Sequence, residues 1–141
     1  MRYHTVQHVL SAVLLDEFSA RTVGNQLYHD RARLDCDHQA FTDTDLAEIE
    51  YHVNHVIDGS HPVSWYVVNR DEIAGNLDPE RTRIDLLPES ITKIRIVEIE
   101  DIDRTACAGT HVSNTNNIGR FSIEKRETGG ADRERIHFLL D

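Results

Sequence analysis

Two pairs of residues have the types and spacing of metal ligands. His4 and His8 lie four residues apart in a segment with helical apolar spacing, and Cys107 and His111 lie four residues apart in the C-terminal part of the chain. Residues i and i+4 of a helix share a face, so the two imidazoles can converge on one ion. Three imidazoles and a thiolate are ligands that zinc prefers. Because spacing alone does not bring the two pairs together, solvated side chains remain the alternative to a zinc site.

The residues around the two pairs bear on how the ligands could converge and on which class of zinc enzyme is excluded. The second pair follows an apolar strand in a stretch rich in Gly, Ala, Thr and Asn, where Gly109 allows the backbone to bend and turn both side chains inward. The first pair does not form the H-E-x-x-H motif of zinc peptidases, because Thr5 stands where the general-base Glu would be. We expect Thr5 to cap the helix.

The rest of the chain predicts the elements that position these pairs. Apolar residues at helical spacing predict a helix over residues 4–20, and Thr and Asp caps with stop signals at Gly59 and Pro62 predict a second one within residues 41–62. Alternation predicts a half-buried strand over residues 26–38. Further strands are predicted at 63–70, 91–101, 117–127 and 133–141, with a short helix and a polar loop at 70–82. We expect an α+β fold: a single domain spanning residues 1–141, with an antiparallel or mixed sheet and helices packed on one face.

The composition indicates the cellular compartment in which the protein is expected. With 39% hydrophobic residues the chain resembles a globular protein, no apolar run approaches the ~20 residues that cross a bilayer, and no signal peptide precedes the first helix. Two cysteines cannot form a disulfide framework and indicate a reducing, cytoplasmic setting. Cys36 alternates with charged neighbours, so we expect it in the core, and we also expect His137, in the last strand, to be packed rather than to line a site.

The charge balance opposes a nucleic-acid partner. The net charge is −10, and Lys93 and Lys125 are the only lysines, a bias that resembles proteins of halophilic organisms. Phosphate binding needs cations, so an RNA partner would require a local basic patch. The arginines available near the predicted loops and strands are Arg21, Arg31, Arg33, Arg120, Arg126, Arg133 and Arg135.

Three segments resemble one family. "HTVQHVLSAVL", "ARLDCDH" and "CAGTHVSNTNNIGRFSI" are similar to the motifs of the alanyl-tRNA synthetase editing domain, and the tail "RIHFLL" is closer to the free-standing AlaX-type editing proteins. The resemblance extends from His4 to Leu140, and the threonyl-tRNA synthetase editing domain is more distant. Two small departures are Ala108 and Asn116, which stand where the family has Gly; Asn tolerates left-handed backbone angles, so we expect that turn to persist.

The resemblance implies an activity and a site. It implies ATP-independent hydrolysis of the ester at the acceptor end of mischarged tRNA(Ala), removing Ser or Gly in trans, with Zn²⁺ held by His4, His8, Cys107 and His111 and these residues acting catalytically through the metal. A synthetase pocket for a methyl side chain rejects such small differences by only ~1–3 kcal/mol, so a second site must remove the errors. Thr22 aligns roughly with a family threonine that meets the serine hydroxyl, and Gly24 beside it is the other expected substrate-binding residue. An ordinary loop threonine is the alternative for Thr22.

Several alternatives stay open. A threonyl-type editor would remove Ser from tRNA(Thr), a non-catalytic zinc-stabilised module would bind tRNA without turnover, and a small-molecule hydrolase would need no tRNA. The absence of an obvious Ser-His-Asp arrangement favours metal-assisted over covalent catalysis. We expect no N-terminal barrel domain and no aminoacylation domain, which would place the chain with the smallest AlaX proteins. Neither the oligomeric state nor whether water or substrate completes the zinc shell follows from the residues.

Overall fold

Helices and short antiparallel strands alternate along the chain. The computed structural model describes residues 1–73, 77–82, 84–130 and 132–141. The helices are α1 (Arg2–Phe18), α2 (Asp43–Asp58) and α3 (Arg70–Ile73), with single 3-10 turns at Ile84–Leu86 and Thr115–Asn117. The strands are β1 (Thr22–Leu27), β2 (Ala32–Cys36), β3 (Val63–Asn69), β4 (Lys93–Ile99), β5 (Asp103–Ala106), β6 (Phe121–Thr128) and β7 (Glu134–Leu140).

The strands form two antiparallel sheets. One has the order β1-β2-β7-β6, and the other has the order β3-β4-β5. In the first sheet Leu34 and Phe138 point inward and are fully buried, whereas Arg33 and Asp35 alternate with them on the outer face. The helices α1 and α2 contribute to the same apolar cluster as the inward residues. The α+β class and the helices on one face of an antiparallel sheet are therefore confirmed.

Both long helices have local causes that are visible in the sequence. Thr42 caps α2: its hydroxyl accepts from the Asp45 N–H, and the Asp45 carboxylate accepts from the Thr42 N–H. The helix ends at Gly59, as predicted. Helix α1 is buried almost all round from Tyr3 to Leu14, which is typical of a central helix. Four polar residues are buried with it: Thr5, Gln7, His8 and Ser11.

The first and last residues of the chain lie side by side. The Arg2 guanidinium donates to the carbonyl oxygens of Ile118 and Asp141, at 2.8 and 2.7 Å. The C-terminal strand β7 is central in its sheet, between β2 and β6. The N-terminal turn of α1 is thereby fixed to the end of the sheet.

The strand predicted over residues 26–38 is present but shorter, as β2, with Ala32, Leu34 and Cys36 buried as predicted. The start of the predicted segment belongs to β1, which pairs with β2 through a turn in which the Tyr28 N–H donates to the Arg31 carbonyl at 2.9 Å. The turn contains neither Gly nor Pro, so the sequence carries no strong signal of the reversal. Strand β5 was also missed, since the turn before it uses Asp101 at φ 65° in place of glycine.

Two further expectations have definite outcomes. The turn around Asn116 persists, but Asn116 lies in a 3-10 turn and the left-handed position is Gly119, at φ 95°. Of the short helix and polar loop predicted over residues 70–82, α3 is present, whereas residues 74–76 lie outside the described residues. Among the described residues, none of the helices combines the length and the apolar character needed to span a membrane.

Candidate metal centre

The structure brings the two predicted ligand pairs together. One ligand atom from each of His4, His8, Cys107 and His111 lies within 4.8 Å of the others. The Cys107 Sγ is 3.4 Å from the His4 Nε2 and 3.5 Å from the His111 Nε2. Nitrogen and sulfur ligands of a tetrahedral zinc ion are separated by about 3.5 Å, given the usual zinc–nitrogen and zinc–sulfur bond lengths. Two of the ligand pairs therefore have the spacing of a tetrahedral zinc site, and the whole set converges to within 4.8 Å.

The second ligand pair is positioned by the β4–β5 hairpin. Cys107 follows β5 directly, and its N–H donates to the Arg95 carbonyl on β4 at 3.1 Å. The Arg95 guanidinium donates in return to the carbonyl oxygens of Cys107 and Gly109, at 2.9 and 2.8 Å. These three bonds fix the loop that carries the thiol and His111 to the three-stranded sheet.

Thr5 orients His111 rather than only capping α1. Its Oγ1 donates to the Met1 carbonyl at 3.0 Å, and it accepts from the Val112 N–H at 3.1 Å. Because a hydroxyl has one proton, the remaining contact, 3.0 Å to the His111 Nδ1, requires that this nitrogen carry the proton. The lone pair of His111 then lies on Nε2, the atom that faces Cys107.

A buried carboxylate stands behind His8. The Asp103 Oδ2 lies 3.4 Å from the His8 Nδ1, and both side chains are almost fully buried. Asp103 is held in turn by the Arg81 guanidinium, at 2.8 Å to each carboxylate oxygen. Burial lowers the pKa of His8, but the neighbouring Asp103 carboxylate and Cys107 sulfur favour the protonated ring and outweigh it, so the net pKa is raised. The carboxylate points Nδ1 away from the cluster, so Nε2 is the ligand atom.

The Cys107 thiol has a lowered pKa. Burial opposes its ionisation, but the adjacent imidazoles of His111, His4 and His8 and the hydrogen bond from the Gly109 N–H lower the pKa to about 3. Burial also lowers the pKa of His111 and favours its neutral form. A thiolate and neutral imidazoles are the forms that bind divalent metals.

Gly109 makes room for His4. A Cβ built at this position would overlap the His4 ring, at its Cε1 and Nδ1 atoms. The loop therefore passes against the face of the imidazole, where only a glycine fits. The same loop tolerates Ala108, one residue earlier.

A polar cavity opens beside the cluster. It has a volume of about 330 Å³, and three of the ligands, His4, His8 and Cys107, are in its lining. On the α1 side Gln7 donates to the Ser11 Oγ at 2.9 Å, and Ser11 lies 2.7 Å from the Thr22 Oγ1. These three residues also line the cavity, as do Arg21, Asn25, Glu80, Arg81 and Thr82.

The predicted substrate-binding residues differ in position. Thr22 lines the polar cavity, whereas Gly24 is not in its lining and faces Asp35 across the β1–β2 pair. Sequence reasoning missed Gln7, Ser11 and Asn25. The sequence signal for the first two is a polar i, i+4 pair inside an otherwise apolar helix.

The predicted arginines do not gather at the cluster. Of that set, Arg21 lines the polar cavity, where its guanidinium pairs with Asp37 and Glu80. Arg33 and Arg135 pair with Asp35 on the outer face of the four-stranded sheet. Arg31 pairs with Asp30 and Arg126 pairs with Glu134, while Arg120 and Arg133 lie at other surface depressions.

Two predictions about single side chains also have outcomes. Cys36 is fully buried in the core, as predicted, and burial raises the pKa of its thiol to about 12. His137 lies on the outer side of β7, where its Nε2 is 2.7 Å from the Glu127 carboxylate. It does not line the metal centre.

The fold and the site define a small α+β domain with a three-histidine, one-cysteine cluster that could bind a metal ion. Residues 94–137 match the family described as the threonyl and alanyl tRNA synthetase second additional domain. The chain is 40% identical over 99% of its length to the alanyl-tRNA editing protein AlaX-M of Methanosarcina acetivorans, of which it covers 57%. It is 33% identical over 98% of its length to AlaX-L of Pyrococcus horikoshii, covering 33% of that protein.

The match extends to synthetases. The alanine–tRNA ligase of Thermococcus kodakarensis is 36% identical over 98% of this chain, which covers 15% of that enzyme. The chain thus spans little more than half the length of the AlaX-M relative and a small part of the ligase. Over nearly its whole length it is similar to AlaX-type alanyl-tRNA editing proteins and to part of alanine–tRNA ligases.

Proposed function

We propose that this chain is an aminoacyl-tRNA deacylase that removes Ser or Gly from mischarged tRNA(Ala) in trans, with Zn²⁺ as its metal. The convergence of His4, His8, Cys107 and His111 beside a small polar cavity carries the proposal. The names of the relatives describe alanyl-tRNA editing and supply the substrate class. We place the protein in the cytoplasm, where the acceptor ends of charged tRNA are found.

Zinc is the metal that best suits this ligand set. Soft thiolate and imidazole ligands favour Zn²⁺ over the hard cations Mg²⁺ and Ca²⁺. When bound, zinc polarises a carbonyl and lowers the pKa of water to about 7, and both effects serve ester hydrolysis. The residues of this chain supply the rest: Thr5 and Asp103 hold two of the imidazoles in the tautomer that presents Nε2.

The polar wall of the cavity offers a means to select the substrate. Since the Gln7 amide donates to the Ser11 Oγ, the Ser11 proton is available for Thr22, and the Thr22 hydroxyl can then donate into the cavity. A seryl ester would accept this hydrogen bond with its side-chain oxygen. An alanyl ester has no such oxygen, and the unpaired hydroxyl would disfavour it. A glycyl ester lacks the oxygen too, so this contact accounts for the selection of Ser and not of Gly. Thr22 is thus our proposed specificity residue, and Gly24 remains a prediction.

The test combines metal content with turnover. Purified protein is expected to contain close to one equivalent of zinc and to deacylate Ser-tRNA(Ala) and Gly-tRNA(Ala) added in solution, but not Ala-tRNA(Ala). His8→Ala should abolish both zinc binding and deacylation, while His29→Ala, at an exposed histidine far from the cluster, should change neither. Thermal unfolding of each variant shows whether the fold is retained.

The same assay separates the alternatives. Faster turnover of Ser-tRNA(Thr) than of Ser-tRNA(Ala) would indicate a threonyl-type editor. Zinc and tRNA binding without turnover would indicate a non-catalytic module. Hydrolysis of a small ester at a rate that tRNA does not increase would indicate a small-molecule hydrolase. Each of these results would overturn the proposed function.

A further inference from the structure

We propose that an exposed face of the three-stranded sheet binds the single-stranded 3′ end of the tRNA by stacking a nucleobase on Trp65. The face consists of Trp65, Val67, Asn69, Lys93 and Arg95, which we call the Trp65 face. Its choice of RNA rests on the proposed function. The stacking and the position of the face rest on contacts that do not involve the metal.

Trp65 is a large aromatic side chain left in solvent. It is the only tryptophan of the chain and is 62% exposed. The Arg95 guanidinium lies over its ring, with the Cζ 4.7 Å from the ring centroid. Since Arg95 covers one side and most of the residue is exposed, the other side is free to stack. Aromatic rings backed by arginine are the platforms on which proteins stack the bases of single-stranded nucleic acids.

The Trp65 face adjoins the metal centre. Trp65, Arg95, Thr110 and His111 line one cavity of about 310 Å³. Arg95 also donates to the carbonyl oxygens of Cys107 and Gly109, so the stacked pair and the ligand loop form one rigid unit. Because His111 belongs both to the cluster and to this cavity, we route the single strand that carries the ester along this loop. A base of that strand can therefore reach Trp65.

The charge of the face suits a phosphate chain. Register pairs place Trp65 opposite Val97, Val67 opposite Arg95 and Asn69 opposite Lys93, so these side chains share one side of the sheet. The five residues of the Trp65 face include two cations, and the Glu72 carboxylate lies at its edge, where it accepts from the Asn69 amide at 3.2 Å, in a chain whose net charge is −10. A local cationic surface of this kind is what RNA binding requires of an acidic protein.

The single tryptophan makes the test direct. Titration with the single-stranded RNA tetranucleotide ACCA should quench the fluorescence of Trp65 at low salt, and added salt should weaken the binding. In deacylation of Ser-tRNA(Ala), Trp65→Ala should raise KM about tenfold with a smaller change in kcat, because stacking contributes to binding. Trp65→Phe, which keeps an aromatic ring, should recover most of the loss.

A matched control uses another exposed aromatic. Tyr51 on α2 is 65% exposed and does not line either cavity at the cluster, so Tyr51→Ala should leave KM unchanged. Both positions are solvent-exposed, so thermal unfolding should be the same for the two alanine variants.

The two readouts distinguish this inference from the proposed function. Quenching by ACCA without deacylation would support the Trp65 face and overturn the proposed function. Deacylation with no quenching and an unchanged KM in Trp65→Ala would overturn the Trp65 face alone. A dimer in light scattering that Trp65→Ala dissociates, with no effect of RNA on fluorescence, would assign the face to contact between copies and would also overturn the inference.

Discussion

Two small residues beside the ligands decide how the imidazoles are held. Thr5 uses its single hydroxyl three times, for Met1, Val112 and His111, and Gly109 lies against the ring of His4. Neither residue binds the metal. Thr5 nevertheless determines which nitrogen of His111 faces the cluster, and Gly109 determines where the His4 ring lies. Such supporting contacts contribute substantially to metal affinity.

Replacing Thr5 with Val should weaken zinc binding without removing a ligand. The methyl cannot accept the protons of His111 Nδ1 and Val112 N–H, so the imidazole loses its orientation. We expect zinc affinity to fall about 10- to 100-fold, measured by competition with a chromophoric chelator. Thr5→Ser keeps the hydroxyl and should bind zinc almost as well as the unchanged protein. Equal affinities for the valine and serine variants would contradict the role assigned to Thr5.

Gly109→Ala should displace His4. The added Cβ would overlap the imidazole, and neither the loop nor the buried start of α1 has room to yield. We expect weaker zinc binding and a large loss of deacylation. Gly129→Ala is the matched control, because a Cβ there meets only the Arg133 Cβ at an ordinary 3.7 Å. If both variants bind zinc normally, the close packing of His4 on Gly109 does not contribute to zinc binding.

The ligands could be predicted from the sequence, but their supports could not. His4, His8, Cys107 and His111 have distinctive side chains at regular spacing, so each pair stands out alone. The roles of Thr5 and Asp103 arise from contacts between residues about 100 positions apart in the chain, and nothing in their immediate neighbourhood signals these roles. Thr22 could be proposed from the sequence only as an alternative to an ordinary loop threonine, because its position in the cavity is what distinguishes the two.

At the level of elements, two side chains of helix α2 bond to strand β6: the Glu50 carboxylate accepts from the Ile123 N–H at 2.9 Å, and Asn54 pairs with Phe121. The Asn54 amide donates to the Phe121 carbonyl and accepts from the Phe121 N–H, both at 2.9 Å. It thereby pairs with the start of β6 as a neighbouring strand would. Asn54 is 7% exposed, so the two backbone groups it satisfies have little access to water.

Asn54→Ala should therefore destabilise the fold. The change leaves the N–H and the carbonyl of Phe121 unpaired in a buried place, and we expect the free energy of unfolding to fall by about 3 kcal/mol. Urea unfolding followed by circular dichroism measures this loss. Asn117→Ala removes an exposed asparagine and should change the stability by less than about 0.5 kcal/mol. Similar effects of the two changes would show that the Asn54–Phe121 pair is not specific.

Elements with strong local signals were predictable, and those defined by pairing were not. The capping box at Thr42 and the stop at Gly59 bracket α2 in the sequence and in the structure. The β1–β2 reversal lacks glycine and proline, and β5 is too short to show alternation. Strand pairing across the chain, rather than local preference, defines both of these elements.

For the whole molecule, the net charge of −10 sets the response to salt. The ion pairs on the outer sheet face are exposed in part and contribute little individually, while the excess of carboxylates repels throughout the surface. The Debye screening length falls from ~8 Å at physiological ionic strength to ~3 Å at 1 M salt, and this screening removes the repulsion. We therefore expect the Tm at pH 7 to rise as NaCl increases from 0.1 to 1 M.

The pI supplies the control for this prediction. Near pH 5.3 the net charge approaches zero, so the rise in Tm with NaCl should be much smaller there. A fall in Tm with salt at pH 7 would show that the ion pairs outweigh the repulsion.

The contact of Arg2 with the Asp141 carbonyl brings residues 2 and 141 within reach of a short linker. New ends could be opened at the β1–β2 turn, where Tyr28 meets Arg31. In such a circular permutant the cysteine-containing motif would precede the paired-histidine motif. The same centre would then assemble from segments nearer in sequence, at a loop-closure cost lower by only about 1 kcal/mol.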